Sequence, residues 1–350
     1  MSNVISISDN IAKGTFKELT FGRNSLFDVF FILLGGLPLY IVLLWAIGEK
    51  TLLNNVPFDY AFWANQIVSM PHVWATYFRL SRKINEGKIN YLMGFPAYIA
   101  IVASLIAATM YGFFLVAMTA VNVWQTYHYL RQTYGVSRFF ARPAGETEQE
   151  RSLSFWAYHL GMPIFILGRW NMLYIFWNGK PSDAIIPVGF PTPLLNSLWA
   201  LAFVGIAIGL YNEVIKYRRA HKSFDCSGLV NLTTYYVMHW YGFLSIENYM
   251  TGFIAITIFH AMQYLAISWR LENRQETTHF VIYKVWKYFP TVASFGLFWI
   301  ILYVVGDFAT TRIFPLGNFF MPVFASICLS SVSAHHYLVD TMLWGRKAGI

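Results

Sequence analysis

The residues with the most chemical potential in this chain are histidines that lie inside long apolar segments. Seven of the nine histidines do so, namely His72, His128, His159, His239, His260, His335 and His336. A histidine ring in hydrocarbon needs hydrogen-bond or metal partners for its nitrogens, so such residues are functional candidates. If the imidazoles converge, they predict a buried metal site, because imidazole is a common ligand of transition metals.

The segments that must position these histidines predict an all-α polytopic membrane protein. Of 350 residues, 57% are hydrophobic and 12% charged, and apolar runs recur from Leu26 to Trp344. At roughly 20 residues per span, the chain has an N-terminal arm at 1–25, a single transmembrane domain at 26–344 and a tail at 345–350. The domain has ten predicted helices, at 26–47, 57–80, 91–109, 111–135, 153–177, 193–216, 229–244, 246–269, 289–307 and 318–344.

The basic residues predict the orientation of these helices. With ten crossings, 21 of the 25 Lys and Arg residues fall on one side, while Lys50, Lys180 and Arg312 fall on the other and Arg169 lies within the fifth span. This asymmetry places both termini in the cytoplasm. The predicted location is the inner (cytoplasmic) membrane of a bacterium. Because the positive charges are dispersed over every cytoplasmic loop, they indicate membrane lipids and not nucleic acid as the partner.

The direction of each helix then predicts the depth of its histidine. The second, fourth, eighth and tenth helices run inward, and their histidines come late in each. The fifth helix runs outward, and His159 comes early in it, whereas His239 lies near the middle of the seventh. The histidines predicted to lie toward the cytoplasmic leaflet are therefore His72, His128, His159, His260, His335 and His336.

Residues one helical turn after these histidines predict a supporting shell. Thr76, Gln132, Tyr264 and Asp340 lie on the same helix faces as His72, His128, His260 and His336. Such groups fix the tautomer of a metal-bound histidine by accepting its other ring N–H.

Four segments resemble the histidine-bearing helices of the Brp/Blh-like bacterial β-carotene dioxygenases. They are Met70-Pro71-His72-Val73, the helix of His128, Ile258-Phe259-His260-Ala261, and the run from Ala334 to Asp340. The family has four such elements in order: Pro-His-Gly, His-Phe-Gly, His-x-x-x-His, and a late Pro-His that is followed five residues later by Asp. The spacing from His335 to Asp340 matches the last of these elements. The resemblance implies a membrane enzyme with histidine-bound non-haem iron.

Departures from the family pattern fall at three places. Thr76 stands where the family has Asp, Tyr264 stands where the paired element has its second histidine, and His128 is followed by Tyr-Leu. These differences predict a distant relative with a different substrate. The predicted metal ligands are His72, His128, His260 and His335, with His336, His239 or His159 replacing the histidine that the family pattern has at Tyr264.

The chemistry of the ligand set favours non-haem iron, as one or more ions. A redox metal with open positions for O₂ suits an apolar lipid or isoprenoid-like substrate, so we predict an oxygenase or related oxidoreductase. Two alternatives remain, a haem-binding or electron-transfer protein with two axial histidines, and a transporter that uses the histidines as a proton relay. Arg169 either pairs with Asp307 or binds a polar end of the substrate.

Overall fold

A computed structural model describes residues 28–35, 37, 70–141, 145–182, 185–220, 227–245, 249–273 and 320–343. Within these ranges the regular secondary structure is helical and contains no strand, which confirms the all-α prediction. The arm 1–25, the tail 345–350, the predicted helix 289–307 and large parts of the first two predicted helices lie outside the described residues.

Nine α-helices occur in the described part of the chain. Three short elements accompany them, the π-helices Asp28–Leu33 and Tyr241–Ser245 and the 3₁₀ turn Tyr91–Met93. The α-helices are α1 (Met70–Asn85), α2 (Phe95–Met110), α3 (Phe114–Ala141), α4 (Glu148–His159), α5 (Met162–Phe176), α6 (Thr192–Ala220), α7 (Ser227–Trp240), α8 (Tyr249–Asn273) and α9 (Phe320–Leu343).

The predicted fifth helix, 153–177, is two helices in the structure. Helix α4 begins earlier, where Thr147 and Glu150 form a reciprocal capping box, and α5 begins with a proline in its first turn. Gly161 lies between them because a Cβ atom there would come within 2.8 Å of the Tyr236 ring. Hydropathy alone does not reveal this break, because the apolar run continues across both helices. The proline itself is tolerated in the first turn of a helix.

The chain divides into two compact units. The first contains residues 1–70, 126–181 and 187–267, and the second contains residues 71–125, 182–186 and 268–350. The core of the first unit is rich in aromatic side chains, among them Tyr129, Tyr158, Phe165, Tyr235 and Phe243. The second unit has two smaller apolar clusters, one around Leu80, Val339 and Leu343 and one around Leu105, Met118 and Ile327.

One described helix is both long enough and apolar enough to cross a membrane. It is Thr192–Arg219, which forms most of α6. Two shorter apolar helices are Phe95–Met110 and Ile254–Ser268. The ten-helix topology therefore still rests on the sequence.

Candidate metal centre

Two buried histidines meet in the second unit. His72 lies on α1, directly after Pro71. His336 lies on α9, and the two Nε2 atoms form a 2.9 Å hydrogen bond, in which one ring donates its N–H and the other accepts. The rings are nearly perpendicular and their centroids are 4.6 Å apart. With 3% and 1% of their surfaces exposed, these imidazoles are shielded from solvent.

A buried carboxylate lies beside this pair. Asp340 follows His336 by one turn of α9, and its Oδ2 atom is 3.6 Å from the Nε2 atom of His336. Its Oδ1 atom accepts a hydrogen bond of 3.0 Å from the hydroxyl of Thr76, one turn after His72 on α1. The pair of helices thus places two imidazoles and one oriented carboxylate together, in surroundings where an isolated charge is costly.

A second histidine pair lies in the first unit. The rings of His128 on α3 and His260 on α8 are 4.8 Å apart between centroids and steeply inclined. The Tyr129 ring packs on His260 at 4.3 Å, and its hydroxyl lies 3.3 Å from the hydroxyl oxygen of Thr257. His128 and His260 are 7% and 1% exposed.

These side chains meet the basic requirement for metal binding. Groups of buried histidine and aspartate side chains that could hold a metal ion occur among the described residues. Their members are His72, His128, His260, His336 and Asp340. The structure therefore supports a metal site of nitrogen and oxygen ligands, while the identity of the metal follows from chemical argument.

His335, a predicted ligand, has other contacts in the structure. Its Nδ1 atom lies 3.1 Å from the hydroxyl of Tyr77, and its Nε2 atom lies 3.0 Å from the backbone carbonyl of Met93. The ring also stacks on Tyr77 and meets the edge of Tyr98. Of the two adjacent histidines on α9, the structure thus brings His336 to His72 and uses His335 to join α9 to α1 and the 3₁₀ turn.

The two other histidine candidates lie outside these metal-capable groups. His159 is partly exposed, stacks on Phe155 at 3.7 Å between centroids and contacts the carbonyl of that residue through Nδ1 at 2.7 Å. His239 is fully buried in the first unit, and its Nδ1 atom is 2.6 Å from the carbonyl of Tyr235.

The predicted supporting residues are all buried, but their roles differ. Thr76 contacts Asp340 and not a ring nitrogen of His72. The side-chain amide of Gln132 donates a 2.7 Å hydrogen bond to the backbone carbonyl of His260. Tyr264 is fully buried on α8. Sequence reasoning missed Tyr77 and Tyr129, although Tyr129 is next to His128 and a buried tyrosine beside a candidate ligand is a usable signal.

Comparisons with known proteins give no relative from which a function can be transferred. No family model, no curated protein and no solved structure matches this chain. The resemblance to the β-carotene dioxygenases consequently stays a prediction from the histidine-bearing segments.

Proposed function

We propose that this protein is an integral-membrane non-haem iron oxidoreductase that uses O₂ on an apolar lipid or isoprenoid-like substrate. One observation carries the proposal: the Nε2 atom of His336 lies 2.9 Å from His72 Nε2 and 3.6 Å from Asp340 Oδ2, and each of the three side chains is at most 3% exposed. Two histidines and one carboxylate are the ligand set of a large class of non-haem Fe(II) oxygenases. In that class the ion keeps open positions at which O₂ is bound and activated.

The spacing of the two imidazoles fits this ligand set. Metal–imidazole bonds of about 2.1 Å at a right angle place two ligand nitrogens roughly 3.0 Å apart. The observed separation of the His72 and His336 Nε2 atoms is 2.9 Å, so a bound iron ion would take the place of the hydrogen bond between the two rings. The Asp340 Oδ2 atom lies 3.6 Å from His336 Nε2, so this carboxylate oxygen and that ring nitrogen are close enough to bind one ion.

The chemistry of the remaining donors disfavours the other common metal centres. The chain has two cysteines, Cys226 and Cys328, and neither is adjacent in sequence to a candidate ligand, which argues against a thiolate-bound cluster or zinc site. No His-Glu-x-x-His sequence is present, so the usual general base of a zinc hydrolase has no counterpart. Iron with oxygen and nitrogen ligands is the simplest assignment.

The histidine pair of the first unit adds donors of the same kind. His128 and His260 are buried, and Gln132 fixes the backbone of the His260 turn through a 2.7 Å hydrogen bond. We propose that this pair also binds iron. Tyr129, whose ring covers His260, shields that imidazole.

The surface of α6 supports a membrane location. Large apolar side chains project from this helix, and Phe203 is 63% exposed. An exposed helix face of this kind is stable in lipid and costly in water. We propose that α6 is one of ten transmembrane helices, that both termini are cytoplasmic, and that the substrate enters from the bilayer because the lipid is its solvent.

Metal analysis of the detergent-purified chain, combined with its absorption spectrum, tests this function. The proposal expects iron that is retained after gel filtration and no Soret band. A Soret band would assign the histidines to haem, and metal-free protein that moves protons in vesicles would assign them to transport. Oxygen consumption by iron-loaded protein, dependent on added isoprenoid lipid, would distinguish an oxygenase from an electron-transfer protein.

A further inference from the structure

His239 is a buried imidazole with one ring nitrogen committed and one available. Its Nδ1 atom lies 2.6 Å from the carbonyl of Tyr235, one turn earlier on α7. A carbonyl only accepts, so Nδ1 carries the proton and Nε2 keeps its lone pair. Nε2 is buried and has no hydrogen-bond partner among the described residues, and the side chain is fully shielded from solvent.

Aromatic rings surround this imidazole. Tyr235, Phe243, Phe259 and Phe165 lie between 4.9 and 5.8 Å from His239, measured between ring centroids. None of these four side chains carries a formal charge at neutral pH. A neutral, acceptor-only nitrogen within apolar walls is suited to an uncharged hydrogen-bond donor, because an ion would lose its hydration there without a counter-charge.

The wall formed by Phe243 is held in an unusual backbone conformation. The residues Tyr241–Ser245 form a π-helix directly after α7, and such turns are frequent at functional sites. Arg169 on α5 donates a 3.1 Å hydrogen bond to the carbonyl of Gly242, and its guanidinium lies 5.0 Å from the centroid of the Phe243 ring. Gly252 on α8 allows close approach, because a Cβ atom there would overlap the Gly242 carbonyl.

We propose that Nε2 of His239 accepts a hydrogen bond from the hydroxyl group of an apolar ligand, and that this group is the polar end of the substrate. The assignment rests on the proposed function for the link to catalysis. Phe259, one of the four aromatic rings around His239, is the residue before His260. A ligand bound at His239 therefore lies against α8, the helix that carries this proposed iron ligand. Arg169 acts as a positioning residue for the Phe243 ring, since it contacts that ring and the carbonyl of Gly242.

A matched pair of ligands tests the hydrogen bond directly. We would titrate 1-dodecanol and its methyl ether into the full chain in nanodiscs and follow the Nε2 resonance of ¹⁵N-histidine-labelled protein. The two ligands have similar apolar bodies, but the ether has no O–H. The proposal expects roughly three- to tenfold tighter binding of the alcohol, as one hydrogen bond to a neutral group provides, together with a shift of one Nε2 resonance.

Variants then assign the effect to His239. His239→Phe should bind the two ligands equally and keep its iron and its melting temperature, and His239→Gln, which restores an acceptor, should recover part of the preference for the alcohol. Equal binding of both ligands by the wild type overturns the proposal, as does loss of iron in a folded His239→Phe protein, which would make His239 a metal ligand. An alcohol preference in protein that binds no iron would support the hydroxyl site and refute the iron function.

Discussion

Replacement of Asp340 by asparagine is the most informative single change at the second-unit site. Asparagine keeps an oxygen that can accept the 3.0 Å hydrogen bond from Thr76, but it removes the negative charge beside His336. The surroundings are buried, with Asp340 1% exposed, so solvent compensates little for the change. Loss of a group that only orients a ligand already costs about 10–100-fold in metal affinity, or roughly 1.4–2.7 kcal/mol, so we expect iron affinity to fall by at least that factor while the fold is retained.

The matched control for this change is Thr76→Val, which has nearly the same shape and removes only the hydroxyl. Loss of that hydrogen bond should weaken iron binding by a smaller factor, roughly two- to tenfold, because Asp340 remains charged but less well oriented. In the Asp340→Asn background the same change should have less effect, since the two side chains act through one contact. The assay is titration of apo-protein with Fe(II) in competition with a chromogenic chelator.

One result would refute the reasoning about Asp340. If Asp340→Asn binds iron within twofold of the wild type, and melts at the same temperature, the carboxylate neither binds nor orients the metal. The proximity of Asp340 to His336 would then be a feature of helix packing, and the two-histidine, one-carboxylate assignment would lose its oxygen ligand.

Three further predictions concern the fold and topology. Burial would raise the pKa of Glu150, but hydrogen bonds from the Thr147 backbone and Arg219 hold that pKa below its ordinary value. The ion pair with Arg219 therefore stabilises the protein at neutral pH, and this stabilisation is lost as the pH falls through the lowered pKa. The difference in melting temperature between wild type and Glu150→Gln should shrink below about pH 4.5. Gly161→Val should lower the melting temperature, by about 1–3 kcal/mol of stability, because the new side chain meets Tyr236, and an unchanged melt would contradict this. A reporter fused after Ile350 should be active only as a cytoplasmic fusion, whereas activity outside the cytoplasm would break the ten-helix topology.

The helices were predictable from the sequence where apolar runs are long. The predicted segment 193–216 lies within α6, and the predicted segment 318–344 nearly coincides with α9. The break in the predicted fifth helix was missed because a proline at a helix start looks the same in sequence as a proline inside an apolar span. The predicted end of the fourth helix at residue 135 was wrong for a different reason: α3 continues to Ala141 past Ser137 and Arg138, two polar residues at which a hydropathy pattern ends the span.

The candidate site was predictable in its residue types but less so in their pairing. Helical spacing correctly placed Asp340 one turn from His336, because that relation is local. It could not decide between the adjacent residues His335 and His336, since they differ by 100° of helix rotation and only the packing of α9 fixes which of them faces His72. The contact between His335 and the Met93 carbonyl was also not predictable, because a backbone carbonyl is present in every residue and carries no sequence signal.

The central claim is that His72 and His336 bind iron, and metal analysis of three single variants tests it most directly. His72→Ala and His336→Ala should each lose most of the bound iron after detergent purification, while His159→Ala, in which a partly exposed imidazole stacked on Phe155 is removed, should keep the wild-type amount. All three proteins should elute as folded monodisperse species, so that iron content alone separates them. Wild-type iron in His72→Ala and His336→Ala, or equal loss in all three variants, would contradict the account.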